Sequence, residues 1–219
     1  MYDLRLFLSK QGRIKYVSHL DMFRIMQRAV RRAEIPLWYT EGFNPHPYIS
    51  FLLALSLTVE GLREPVDIRI VGETTPEELC RRLNAVFPEG LRVEEAAPPV
   101  HKPAEIALGE YTVTLDRHDL FAGELEAALA SGALTCEKSG KKNGRKVVKT
   151  VNVSEHIHSF RVEETDHAVL LHVVLPAGST FNLNPLQLME GVSGYLGRTV
   201  TPDRTLRTRL LCADGTEFC

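Results

Sequence analysis

The chain has 219 residues, with 26 Lys or Arg against 28 Asp or Glu, a formal net charge of −2, 44% hydrophobic and 25% charged residues. That length and composition suit two packed domains and exclude a protein that coats nucleic acid uniformly, so any nucleic-acid binding must come from a local patch. The opening residues carry no basic region followed by an apolar run, and no stretch approaches the ~18 apolar residues that span a membrane; a cytoplasmic protein without membrane contact is expected.

Residues 2–9 alternate, with Leu4, Leu6 and Leu8 on one face, which predicts a strand. Residues 10–15 form a polar turn. Ser18, with Asp21 three residues on, opens a helix that runs to about Glu34 and is closed by Pro36. The nearly unbroken apolar run in 48–59 predicts a buried central strand, and 65–71 alternates again. Thr75-Pro76-Glu77-Glu78 combines an N-cap, a first-turn proline and a glutamate at the capping-box position, opening a helix that ends near Phe87-Pro88. Residues 91–95 return as a strand. Strand, helix, strand, strand, helix, strand is the ferredoxin-like order, a four-stranded antiparallel sheet with both helices on one face.

Residues 97–108 read as a proline-rich linker. Beyond it come a strand at 111–115, a helix over 119–131 stopped by Gly132, and a long hairpin over 134–153 with Asn143-Gly144 at its tip. A second hairpin pairs 160–164 with 168–175. Asn184-Pro185 opens a helix ending at Gly197, and 204–212 closes as a strand. The expected architecture is α+β, two tandem ferredoxin-like (βαββαβ-type) domains at residues 1–96 and 109–219, the second with additional strands.

Four segments bear residues suited to chemistry. On the first helix Arg24, Arg28, Arg31 and Arg32 recur at helical spacing, opposite Phe23, Met26, Val30 and Ala33. Residues 10–46 hold seven Lys or Arg against three Asp or Glu, and guanidinium forks match paired phosphate oxygens. A solvated helix face is the alternative, although acidic i,i+4 partners are scarce here. The loop 40–48 is stiffened by a glycine and two prolines. It offers Phe43, Asn44, His46 and Tyr48 as a cradle for an unpaired base, or else Phe43 plugs the core. His19, with Asp21 and His46, suits general acid–base cleavage of RNA, against a structural role at the helix start; the spacing fits no standard metal site. The basic hairpin Lys138, Lys141, Lys142, Arg145, Lys146, Lys149 reads either as an arm for phosphate or as an edge guarded by lysines. There is no Gly-rich phosphate loop, no nucleophile elbow, and no paired spacing among Cys80, Cys136, Cys212 and Cys219. No metal and no cofactor are expected.

Tyr16-Val17-Ser18-His19-Leu20-Asp21, Arg28-Ala29-Val30-Arg31-Arg32-Ala33 and Gly42-Phe43-Asn44-Pro45-His46-Pro47 together resemble the radical-SAM-associated (radical-SAM-linked) proteins of unknown function, in their stand-alone form. The likeness is densest over residues 2–70; Gly178, Asn184-Pro185 and a final strand with Arg207 fit its general pattern. Glu64 and Asp67 match an acidic pair in that family, while Thr58 and Gly61 stand where its pattern has a glycine and a serine. The resemblance implies a radical-SAM protein as partner, because this chain lacks the three-cysteine cluster motif, and it leans toward RNA. Together with the residues read above, it leads to the expectation of a non-catalytic RNA-binding or substrate-presenting accessory module, with Arg24, Arg28, Arg31 and Arg32 on phosphates and Phe43, Asn44, His46 and Tyr48 on a base. The alternatives are a metal-independent endoribonuclease using His19 or His46, resembling CRISPR-repeat-processing enzymes, and a pure protein–protein adaptor.

Overall fold

The computed structural model describes residues 1–142, 145–178 and 181–219, and side chains over 1–138, 148–178 and 181–219. The chain forms two compact units, one of residues 1–106 with 207–219 and the other of 107–206. Both mix helices with antiparallel strands.

The first unit holds β1 (Tyr2–Lys10), α1 (His19–Arg32), β2 (Ile49–Phe51), β3 (Glu60–Ile70), α2 (Pro76–Asn84) and β4 (Leu91–Ala97). β1 runs antiparallel between β4 and β3, and β2 lies on the other edge of β3. The register sets Leu4 opposite Ile68 and Leu6 opposite Val66. Residues directly opposite share a face of the sheet, and this one packs on Met22, Met26 and Val30 of α1 and Leu79 and Leu83 of α2. Each helix starts on a side-chain cap: Ser18 Oγ accepts from Asp21 N, and Thr75 Oγ1 from Glu78 N, both at 3.2 Å.

The run 48–59 is not the buried central strand its composition suggests. Only the short edge strand β2 forms, Leu57 is exposed, and the central places go to β1 and β3. The chain turns instead at Thr58, whose φ is +70° and whose N–H donates to Lys15 O at 3.0 Å. A β-branched residue in the left-handed region is strained, which accounts for glycine as the expected residue there. Thr58→Gly is expected to raise stability by about 0.5–1 kcal/mol, the relief of strain less glycine's entropy cost; a urea midpoint that falls would contradict this. Three residues on, a Cβ at Gly61 would collide with Glu64 Oε1, so glycine here lets the Glu64 side chain fold back over the strand.

Residues 97–106 are tied down. Val100 N and His101 N donate to Cys219 O at 3.2 and 2.8 Å. Arg5 bonds the carbonyls of His101 and Cys219 at 3.0 and 2.6 Å, and its other nitrogens grip Asp67 at 2.7 and 3.0 Å. Residues 207–219 therefore belong with the N-terminal segment, although the sequence groups them with the second domain.

The second unit holds β5 (Leu108–Asp116), α3 (Ala122–Ala130), β6 (Thr135–Lys142), β7 (Arg145–Asn152), β8 (Ser159–Glu164), β9 (Ala168–Pro176) and α4 (Pro185–Leu196). β9 lies antiparallel between β5 and β8, and β6 pairs with β7 as a hairpin. A last strand, β10 (Arg204–Leu211), begins in this unit; its residues from 207 on belong to the first. Val113, Leu115, Leu171, Leu125 and Leu188 lie in this unit's core. α3 starts at Ala122 rather than near Asp119, because Asp116 O accepts from the N–H groups of Asp119 and Leu120 and holds them in a turn. Asn184 caps α4, its Oδ1 accepting from Leu186 N at 2.9 Å, and Gly197 ends it at φ +67°. The Asn143-Gly144 tip lies outside the described residues, as do the side chains of Lys141, Lys142, Arg145 and Lys146.

Candidate functional site

The apolar stripe of α1 turns to the sheet and leaves Arg24, Arg28, Arg31 and Arg32 exposed on the outer face. They are not equivalent. Arg24 is already engaged, donating to Asp21 Oδ1 at 2.8 Å, and that carboxyl is held below its usual range by Ser18 first and Arg24 second. Arg28, Arg31 and Arg32 have no ion-pair partner among the described residues. Arg28 and Arg32 border an open groove of about 480 Å³ with Ile14, Ile25 and Phe87. Guanidinium groups beside an apolar floor fit a phosphate with an attached ring.

The loop 40–47 is braced from within. Tyr39 bridges Pro47, Thr40 N donates to His46 O at 2.9 Å, and His46 N donates to Thr40 Oγ1 at 3.2 Å. His46 Nδ1 lies 3.1 Å from both Thr40 Oγ1 and Asn44 O. Phe43 is fully exposed and does not plug the core; Asn44 and His46 are exposed with it. Tyr48 is different. It is half-buried, and the Arg69 guanidinium lies 5.0 Å from its ring and 5.3 Å from that of Trp38. Arg69 is fixed in turn by Asp3 at 2.6 Å. Tyr48 thus supports the loop, and the rings it leaves exposed are those of Phe43 and His46.

His19 and His46 make no described contact with each other. His46 is held inside its loop, while the His19 ring meets Phe51 edge-on at 5.4 Å. Nothing pairs them as acid and base. In the second unit Lys138 is half-buried against Phe181, at 4.4 Å, and donates to Asn182 O at 2.8 Å, so it anchors the hairpin rather than extending from it; Lys149 is exposed.

His19 also borders a cavity that the sequence pattern does not announce. Its walls are Leu8, Met22, Phe51, Leu53 and Leu55, and its charged members are Lys10 and Glu64. Lys10 is 4% exposed, Glu64 7% and Arg207 2%. Arg207 holds Glu64 with two nitrogens, Nε to Oε1 at 3.0 Å and Nη2 to Oε2, and also donates to Leu53 O at 3.2 Å. Lys10 Nζ donates to Val17 O at 3.1 Å. Burial pushes the Lys10 ammonium below its usual pKa, with Glu64 opposing and Arg207 adding to the fall. The available signal was the alternation itself: one more step past Leu4, Leu6 and Leu8 lands on Lys10, and one step from Val66 lands on Glu64, both on the core face.

Among the described residues no three His, Cys, Asp or Glu side chains gather as a metal site, and no helix is long and apolar enough to cross a membrane. Exposed cations, a presented aromatic and a charged cavity on a mixed α+β fold mark a candidate binding protein. The chain belongs to the family described as uncharacterized protein conserved in bacteria (DUF2344), whose model matches residues 4–185. No curated protein matches it in sequence. Among solved structures it is similar to a chain of a Cbf5-Nop10-Gar1 complex, at 13% identity and a TM-score of 0.52 over 94% of this chain and 48% of that one. It is likewise similar to a chain of an H/ACA RNP bound to a substrate RNA containing 2′-deoxyuridine, at 14% identity and a TM-score of 0.50 over 95% and 47%. At such identity the likeness is one of fold, and this chain spans about half the length of the chains it matches.

Proposed function

We propose that this protein is a non-catalytic RNA-binding module that presents its RNA to a radical-SAM partner. The observation that carries the RNA reading is Phe43, fully exposed at the tip of an internally braced loop in the same unit as the unpaired arginines of α1. An aromatic held open to solvent offers a stacking platform at little entropic cost, and the arginines supply phosphate contacts. One of the similar solved structures lends support at the level of fold, since it is of an H/ACA RNP bound to a substrate RNA. The radical-SAM partner rests on the motif resemblance of residues 16–21, 28–33 and 42–47. The tandem ferredoxin-like reading draws support from strand order: β4-β1-β3-β2 in the first unit, and β9 between β5 and β8 in the second, with Asp203 N bonded to Thr114 O as β10 begins.

Phe43→Ala is the test. Base–aromatic stacking is worth about 1–3 kcal/mol, so affinity for a labelled single-stranded RNA, read by fluorescence anisotropy, is expected to fall roughly 5- to 150-fold. The melting temperature should not move, because Phe43 touches no core. Unchanged affinity removes the loop from the interface. For the partner, affinity purification from cells should bring down a protein carrying a three-cysteine cluster motif, and its absence withdraws that half of the proposal.

A further inference from the structure

We propose that the cavity beside Lys10 is a binding site for a small aliphatic carboxylate, with the Lys10 ammonium at its floor and His19 at its mouth. The site is distinct from the RNA-binding reading and does not depend on it.

The inner face of β1 reads Leu4, Leu6, Leu8 and then Lys10, so the apolar core ends in a cation. That cation is poorly compensated. Its one hydrogen bond goes to a neutral main-chain carbonyl, at 3.1 Å, and among the described residues no carboxylate lies within ion-pair distance of it. The nearest acid it senses, Glu64, has both oxygens committed to Arg207. A buried ammonium with a single neutral acceptor is costly to keep, and a structural role at Val17 O could be filled without charge. An anion reaching into the cavity would complete it.

The walls define the rest of the ligand. Leu8, Met22, Phe51, Leu53 and Leu55 offer no hydrogen-bonding side chain, so the portion behind the anionic head must be hydrocarbon. The space open to water-sized groups is about 30 Å³, enough for the two carboxylate oxygens, with the hydrocarbon lying in the mouth toward exposed His19. Phosphate, with no apolar portion, would leave those walls unused.

The probe is butyrate, with butyramide as its uncharged counterpart, followed on protein labelled at the methionine methyls. There are four methionines; Met22 lines the cavity, while Met189 lies in the other unit and serves as the reference. Butyrate is expected to shift the Met22 methyl saturably and leave Met189 in place. A charge-assisted contact is worth about 1.5–3 kcal/mol, so butyramide should require at least about 10-fold more ligand for the same shift. Lys10→Met should erase that preference. Leu53→Phe, which fills the cavity without changing its charge, should block both ligands and carries the test if Lys10→Met does not fold. Arg161→Ala, in the other unit, should change nothing. Equal titration by the two probes, or a Met22 methyl that moves only when Met189 also moves, would overturn the proposal.

Discussion

Glu64→Ala is expected to destabilise the first unit by about 3–5 kcal/mol, the usual cost of removing one partner from a buried ion pair. Arg207 is 2% exposed, and Glu64 is the carboxylate that meets its fork with both oxygens. Deleting that carboxylate removes two charge-assisted hydrogen bonds from a guanidinium buried away from water. A domain of this size has a total stability of only about 5–15 kcal/mol, so urea unfolding should begin at much lower concentration and extend over a large part of the unit. Glu64→Gln should be milder, since it keeps an acceptor. Replacing Glu64 and Arg207 together by leucine should recover a large part of the loss, because two apolar side chains owe nothing to desolvation. A Glu64→Ala protein within 1 kcal/mol of the parent, on the scale of an exposed pair, would show that the pair does not hold this end of the sheet.

The second large effect is on binding. Changing Arg28, Arg31 and Arg32 together to Ala should lower affinity for single-stranded RNA by about 10- to 100-fold near physiological salt and flatten the plot of log K against log salt by roughly 2, at ~0.7 per phosphate contact. These three are the cations of α1 without a described ion-pair partner. Arg24 is omitted because Asp21 already holds it. The fold should survive, since all three are exposed. Arg31 and Arg32 sit in the last turn, where a cation offsets the helix dipole by about 0.3–1 kcal/mol, so a modest drop in melting temperature is expected as well. An unchanged salt slope would mean that these arginines are an ordinary solvated face.

The parts of the fold that could be read from sequence are those where apolar side chains recur on the face that meets the core. Leu4, Leu6 and Leu8 of β1 do so, although Arg5, Phe7 and Ser9 on the opposite face are buried too, and α1 shows its buried stripe and its exposed arginines at helical spacing. The run 48–59 misled because apolar composition does not separate a central strand from a segment that folds over the end of a sheet. What decides it, the φ of Thr58 and its bond to Lys15 O, is tertiary. Tyr48 looked free for stacking because its partner Arg69 is 21 positions away and fixed by Asp3 from a third segment. Glu64 and Arg207 lie 143 positions apart, and no local pattern joins them. Lys10 was within reach, but the polar residues after it resemble a turn and conceal that its own side chain points into the core.

The central claim is that residues 19–48 bind RNA. Its most direct measurement is ultraviolet crosslinking of the tagged protein in cells, with stringent purification, sequencing of the attached RNA and mapping of the crosslinked peptide. A discrete RNA species is expected, attached within residues 40–48, centred on Phe43, and lost in the Arg28/Arg31/Arg32 triple variant. No RNA above background, or crosslinks that survive in that variant and map elsewhere, would contradict it and leave the arginine face of α1 as a docking surface for an acidic protein.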